Sequence, residues 1–326
     1  MKLTRSFFFN IILALVIASS SSCKRKTETW PSVQFDVGSD VKISGVLLPN
    51  DSTILAAGGT RLEDGYVFTS IDRGASWDVV QVSDKYAVTA LAHDESGRLW
   101  AGCDFLRLFT STDSQNWNLH WLAQQQPFHE EDRPAIRDFY FQNDSTWWFV
   151  GGEHYNEGVV YRTWDKGANW QFSTWEYEWR AIDARDGLVA IAGHGGVLLS
   201  HGGPLVLQSL QNDFFTGIAV NPDESLVVVS NQGSIWRSED AGDQWEEIQK
   251  PSGALSRFNY NGLAHLGSHI IAVANDGRFS HSTDHGLSWS HYQLDSDDHL
   301  LNVICTTSGF YCGAYGGVLV YCDYPQ

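Results

Sequence analysis

The side chains able to hold an anion or move a proton are concentrated in one stretch of the chain. Asp104, Arg137, Glu153, His154, Arg180 and His194 fall there, with Trp175, Trp179 and, further on, Tyr315 as aromatic company. Two guanidinium groups offer forked donors suited to a carboxylate or a phosphate. Aromatic faces beside them make a platform for a sugar ring or an anionic group. Asp104 and Glu153 are a pair from which a two-carboxylate glycoside hydrolase could be built. No catalytic set stands out and no cofactor is expected, because no dinucleotide fingerprint opens a βαβ unit. His129, Glu130, Glu131 and Asp132 form an acidic run that reads as an exposed loop. No Cys/His spacing matches a zinc site, so no metal is expected.

These residues are scattered in sequence, so a repeated scaffold must gather them. Trp is abundant at 14, Gly reaches 30 and Met is present once. Short Val/Ile/Phe/Tyr/Trp runs punctuated by Gly, Asn, Asp and Ser indicate an all-β chain with many tight turns. One turn recurs: Ser70 to Trp77 (SIDRGASW), Ser238 to Trp245 (SEDAGDQW) and Ser282 to Trp289 (STDHGLSW) are full copies. Thr163 to Trp170 (TWDKGANW) begins with Thr, and Ser111 to Trp117 (STDSQNW) is one residue short. Ser200 to Pro204 stands where another copy would fall. The Asp accepts hydrogen bonds from its own turn and the Gly takes a positive φ, so the motif is structural.

Strand openings fall near Val41, Val88, Ile136, Trp179, Phe215, Tyr260 and Leu301, most of them roughly 40 to 48 residues apart, a propeller-blade period. The expectation is an all-β, seven-bladed β-propeller over residues 30–326. Thr29 to Phe35 would close the ring by pairing in the last blade, with Trp30 in the position of a turn Trp. In such a ring Ser44, Thr89, Arg137, Arg180, Thr216, Asn261 and Asn302 open the inner strands at the channel mouth. Asp104, Glu153, His154, His194 and Tyr315 reach the same face from turns, as do Thr60, Asn231 and Asn275. Trp175, Tyr177 and Trp179 lie in the connection into the fourth unit. One of Trp147 and Trp148 is expected in the core.

The N-terminus reads as a targeting signal. Lys2 and Arg5 precede an apolar run from Phe7 to Ala18, then small residues and Cys23. Residues 1–22 resemble a bacterial lipoprotein signal, with Cys23 as the lipidated residue and 23–29 as anchor linker. A plain secretory signal is the alternative; either way the protein is expected in the cell envelope, meeting the membrane only through its anchor. Cys305 and Cys312 flank a turn at Ser308-Gly309 and would face each other on a hairpin, where a disulfide or two small buried hydrophobes are the alternatives. The net charge is −18, and loss of Lys2 and Arg5 makes it more negative. An acidic surface without a basic stripe excludes nucleic acid.

The repeated turn resembles the Asp-box propeller families, among them sialidases and sortilin-type receptors. The rhythm of Ala192-Gly193-His194-Gly195-Gly196-Val197-Leu198-Leu199-Ser200 is most similar to that of the photosystem II assembly/stability factors. That resemblance implies a non-catalytic binding or assembly module; the expected partner is an envelope protein or a glycan, and the expected state is a monomer. The alternative is a glycoside hydrolase. A sialidase-like site would need a third Arg beside Arg137 and Arg180, and only Arg133 offers one.

Overall fold

The computed structural model describes residues 28–120, 122 and 133–325. Strands succeed one another through short turns, and each sheet lies against the next through apolar side chains. Leu55, Val67, Val88 and Ala101 fill one seam, Trp100, Ile136, Trp147 and Phe149 the next, and Trp148, Val150, Trp179 and Ile191 the third. Both members of the Trp147–Trp148 pair are therefore core, one on each face of their strand, as the alternation of a strand requires.

Four sheets are four-stranded and antiparallel. The first comprises Ile43–Asn50, Thr53–Thr60, Asp64–Ser70 and Asp78–Ser83, and the second Val88–His93, Leu99–Cys103, Leu108–Ser111 and Asn118–His120. The third comprises Ala135–Phe141, Trp147–Glu153, Glu157–Thr163 and Gln171–Trp175. The last is built from Leu300–Cys305, Gly309–Ala314 and Val318–Asp323, with Val33–Asp36 antiparallel to Val318–Asp323 as its fourth strand. A fifth sheet, Tyr260–Leu266, His269–Ala274, Arg278–Ser282 and Ser290–Leu294, follows the same plan and carries Glu28–Trp30 as an extra parallel strand.

The expectation of seven separate blades is corrected here. Five blades follow the regular plan. Between Trp179 and Gln249 the chain forms one six-stranded sheet. A single strand, Val206–Val220, pairs with Leu188–His201 on one side and Leu226–Ser230 on the other. The cause is local. Most other unit boundaries carry Pro, Gly or clustered Ser/Asp, as at Pro134 and Pro251-Ser252-Gly253, whereas Leu207 to Phe215 has neither Gly nor Pro and stays extended.

Two further readings are revised. Trp30 does not belong to the closing strand. It lies in Glu28–Trp30, against Ser290–Leu294 of the neighbouring sheet, so the N-terminal segment straddles two sheets. Cys305 pairs with Phe310 and Cys312 with Val303, so the two cysteines are not opposite each other, and both are free thiols. The turn is Thr306–Gly309, held by Thr306 Oγ1, and its centre lies one residue before the one expected, which moves the pairing by two residues.

The Ser-x-Asp turns are stitched from within. In the first, Ser76 N–H donates to Asp72 Oδ1 at 2.9 Å and Gly74 N–H to Ser70 Oγ at 2.7 Å, with Gly74 at φ +91. The Ser76 hydroxyl, then the Ser76 N–H and the Ser70 hydroxyl, all donate to the Asp72 carboxylate and hold it at about 2.

Candidate functional site

The inner strands surround a cavity of about 310 Å3 lined by seven strand segments, one from each regular blade and two from the six-stranded sheet. Near its start each inner strand carries a bulge, one residue left out of the pairing ladder: Ser44, Thr89, Arg137, Arg180, Thr216, Asn261 and Leu301. A bulge re-aims a side chain. At most of the ring that side chain, or its neighbour Asn302, locks one strand to the next. Thr89 Oγ1 donates to Ile136 O at 2.5 Å, Thr216 Oγ1 to Tyr260 O at 2.9 Å, Asn261 Nδ2 to Leu300 O at 2.7 Å and Asn302 Nδ2 to Ile43 O at 3.0 Å.

Arg137 and Arg180 break this pattern. Neither reaches the carbonyl of the next strand. Both meet one carboxylate oxygen, Glu178 Oε1, at 3.4 Å, longer than an ordinary hydrogen bond. Arg137 Nε is buried without a partner among the described residues. Burial, and then the charge of Arg137, lower Arg180 to about 10; with a third of its side chain still wet, it is a cation at neutral pH. Lys42 joins them on the cavity wall and is lowered by the surrounding protein first and by Arg180 and Arg137 next. Asp138 also lines the cavity, but it is a strut: its carboxylate accepts Ile182 N–H at 2.9 Å and Phe139 N–H at 2.8 Å. Burial raises it to about 7.

Glu178 organises the centre of this group. It is 4% exposed, its Oε2 accepts Tyr155 N–H at 3.0 Å, and its backbone N–H donates to Tyr155 O at 3.2 Å. The Tyr177–Glu178 backbone reaches this position because its neighbours are glycines: a Cβ on Gly158 would sit 1.8 Å from Tyr177 O, and one on Gly193 2.0 Å from Glu178 O.

Above the cavity two adjacent turns are strained. Phe105 and Leu106, and His154 and Tyr155, are consecutive side-chain-bearing residues at φ between +52 and +67. Equivalent turns elsewhere place Gly195-Gly196 and Gly316-Gly317 in positive φ, while Leu62 and the Asp276-Gly277 pair also adopt it, each turn with fewer than two consecutive side-chain-bearing residues there. Such conformations cost about 1–3 kcal/mol each and persist only where surrounding contacts hold them. Here Glu178 and His194 hold Tyr155. His194 Nδ1 lies 2.9 Å from Tyr155 O, which as an acceptor requires the proton on Nδ1. The Tyr155 ring, 55% exposed, meets Phe214 at 5.0 Å and His194 at 5.8 Å, and Arg180 lies 5.2 Å over Phe214.

Placement of the remaining candidates is mixed. Glu153 is ion-paired at 2.7 Å to Arg61, whose guanidinium lies 5.0 Å over Phe105 and so bridges three turns. Asp104 is buried; burial raises its carboxyl, and Arg137 is the leading charge opposing that rise. His154 is exposed and makes no hydrogen bond or ring contact among the described residues. Trp179 is fully buried and Trp175 packs edge-on against it, so this pair is core and not a platform. Tyr315 stands on the far side of the mouth, 5.8 Å from Lys42 Nζ. The run from His129 to Asp132 lies outside the described residues, as do the leader and Cys23.

Sequence reasoning missed Lys42, Arg61, Glu178, Tyr155 and Phe214. Lys42 and Glu178 carried a usable signal, since each immediately precedes the first paired residue of an inner strand.

No family model matches the chain, and no curated protein matches it in sequence. Solved structures match its fold. One is described as YCF48 bound to D1 peptide, with TM-score 0.72 and 15% identity over 92% of this chain and 98% of that one. Another is virginiamycin B lyase from Staphylococcus aureus, with TM-score 0.70 and 12% identity over 90% and 99%. A third is the WD40 β-propeller domain of Doa1, with TM-score 0.66 and 15% identity over 92% and 98%. These neighbours include an enzyme and binding proteins alike, and at such identities the likeness establishes one thing: the chain folds as a β-propeller.

Proposed function

We propose that this protein is a non-catalytic binding module, exported and tethered through Cys23, that captures a peptide segment of an envelope protein on its channel-mouth face. The observation carrying this reading is the strain in the two adjacent turns. The exposed Tyr155 side chain is presented where Gly195-Gly196 and Gly316-Gly317 serve two other turns, and Glu178 and His194 over-determine its conformation. The exposed Tyr155 ring, backed by Phe214 and Arg180, is an aromatic anchor with a cation beneath it, a composition enriched at binding hot spots. The peptide named with YCF48 and the WD40 likeness support a peptide or protein ligand for a propeller of this shape.

The test is site-specific photo-crosslinking in envelope fractions. A photoreactive residue at Tyr155 yields a discrete crosslinked partner. The same residue at Ile71, exposed in the Ser70–Trp77 turn at the opposite end of its blade, yields none. Equal products from both positions, or none from Tyr155, overturn the reading. Cys23→Ala moves the protein from the membrane fraction to the soluble fraction if the tether is correct.

A further inference from the structure

The cavity beneath the mouth is a second site with different chemistry. Its walls are unequal. Ser44, Thr216 and Asn261 line it with uncharged hydroxyl and amide groups, Thr216 Oγ1 and Asn261 Nδ2 already donating to neighbouring strands and their oxygens left as acceptors; Lys42, Arg137 and Arg180 line it with positive charge. Arg137 and Arg180 share one carboxylate, Glu178, at distances that leave their guanidinium donors without hydrogen bonds to the described protein, and Lys42 also lines the cavity. Buried donors left unmade are costly, and guanidinium forks recover that cost by gripping a planar oxyanion. Crowding these cations together is also unfavourable, as the lowering of Lys42 by both arginines indicates. A bound anion relieves both penalties. About 310 Å3 admits a monosaccharide-sized molecule and excludes a folded segment of chain.

We infer that the channel cavity binds a small hydroxylated monocarboxylate, of the sugar-acid class, with its carboxylate between Arg137 and Arg180 and its hydroxyl groups toward Ser44, Thr216 and Asn261. This site does not depend on partner capture at the rim, since Tyr155 is no part of the cavity lining.

Calorimetric titration of the full-length, detergent-extracted protein with D-glucuronate, D-glucose and inorganic phosphate at low salt and neutral pH tests it. Glucuronate binds one per chain, glucose does not bind, and phosphate binds at least about tenfold more weakly. Arg137→Gln and Arg180→Gln each weaken glucuronate at least about tenfold with unchanged circular dichroism. Lys42→Gln, at a side chain exposed at the mouth, weakens it several-fold and guards against a folding artefact in the arginine variants. Absence of glucuronate binding, or binding unaltered in all three variants, overturns the inference. Phosphate binding as tight as glucuronate overturns the sugar-acid assignment. Tyr155→Ala leaves the titration unchanged, so failure here and failure of the crosslinking test are separate results.

Discussion

Two arcs of the same ring of bulges behave differently. Along one, Thr89, Thr216, Asn261 and Asn302 use their side chains to tie each inner strand to the next. Along the other, Arg137 and Arg180 occupy equivalent places but hold no carbonyl of the next strand; both meet Glu178, and Arg180 also lies over Phe214. The same backbone irregularity thus serves cohesion in one arc and presents charge in the other. The ring keeps its shape across the arginine arc by other means: Asp138 receives Ile182 N–H and Asp183 receives Val220 N–H at 2.7 Å, so carboxylates deeper in the channel take over the strand-to-strand bond. A mouth can give up its locks where a second row of struts lies beneath.

That contrast can be broken most sharply at Glu178. Glu178→Ala removes the buried carboxylate opposing two partly buried guanidinium groups and a bond holding the strained Tyr155 turn. It lowers stability by about 3 kcal/mol, the lost ion pairing and the orphaned Tyr155 N–H together, as read by urea denaturation. A loss under about 1 kcal/mol makes the arginine arc self-sufficient and the argument wrong. Next in size is the locking arc. Asn261→Ala deletes bonds to Asn275 and Leu300 and costs about 2 kcal/mol by the same assay.

A pH effect outside both arcs sets the baseline for these measurements. His281 is 5% exposed, with Nε2 at 2.9 Å from His269 Nδ1, and burial followed by the His269 charge lowers it from 6.5 to about 4. The folded pKa lies below the unfolded one, so its contribution is complete above pH 6.5 and declines as pH falls toward 4. Stability drops by on the order of 1–2 kcal/mol between pH 7 and 5, and His281→Gln flattens that slope. An unchanged slope assigns the acid sensitivity elsewhere. The smallest effect is expected from Arg137→Gln, which shifts stability by less than about 1 kcal/mol because no strand-to-strand bond depends on the side chain. A drop as large as that of Asn261→Ala would erase the distinction between the arcs.

Much of this ring was legible because its determinants are local. A Gly at positive φ with Asp and Ser beside it fixes a turn within eight residues, and a polar residue at the head of an apolar run marks a bulge; Thr89, Arg137, Arg180, Thr216 and Asn261 were identifiable on that ground. The blade count was not, because it depends on whether Val206–Val220 bends, and an extended strand differs from a broken one only by turn residues that are missing. Charge partners were hidden for another reason. Glu178 and Arg61 act across distances set by neighbouring sheets: Arg61 and Glu153 are 92 residues apart and meet only because three turns converge. The cysteine register turned on where one tight turn is centred: moving the centre by one residue moves the pairing by two, so Cys305 meets Phe310 and not Cys312.

The N-terminal segment has a mechanical consequence. Its first strand, Glu28–Trp30, runs parallel to Ser290–Leu294, and its second, Val33–Asp36, runs antiparallel to Val318–Asp323 in the adjoining sheet. Tension applied ahead of Glu28 therefore meets two short clamps in series. The three-residue clamp yields first, and only its release transfers load to the four-residue clamp that completes the last sheet. Between them, Ser32 donates to Asp295 and Trp30 Nε1 to Asp323 O, pinning the segment to both sheets at the crossing point. The ring thus carries a graded fuse at its seam, and the sheets bearing Arg137 and Arg180 stand outside that load path until the second clamp parts.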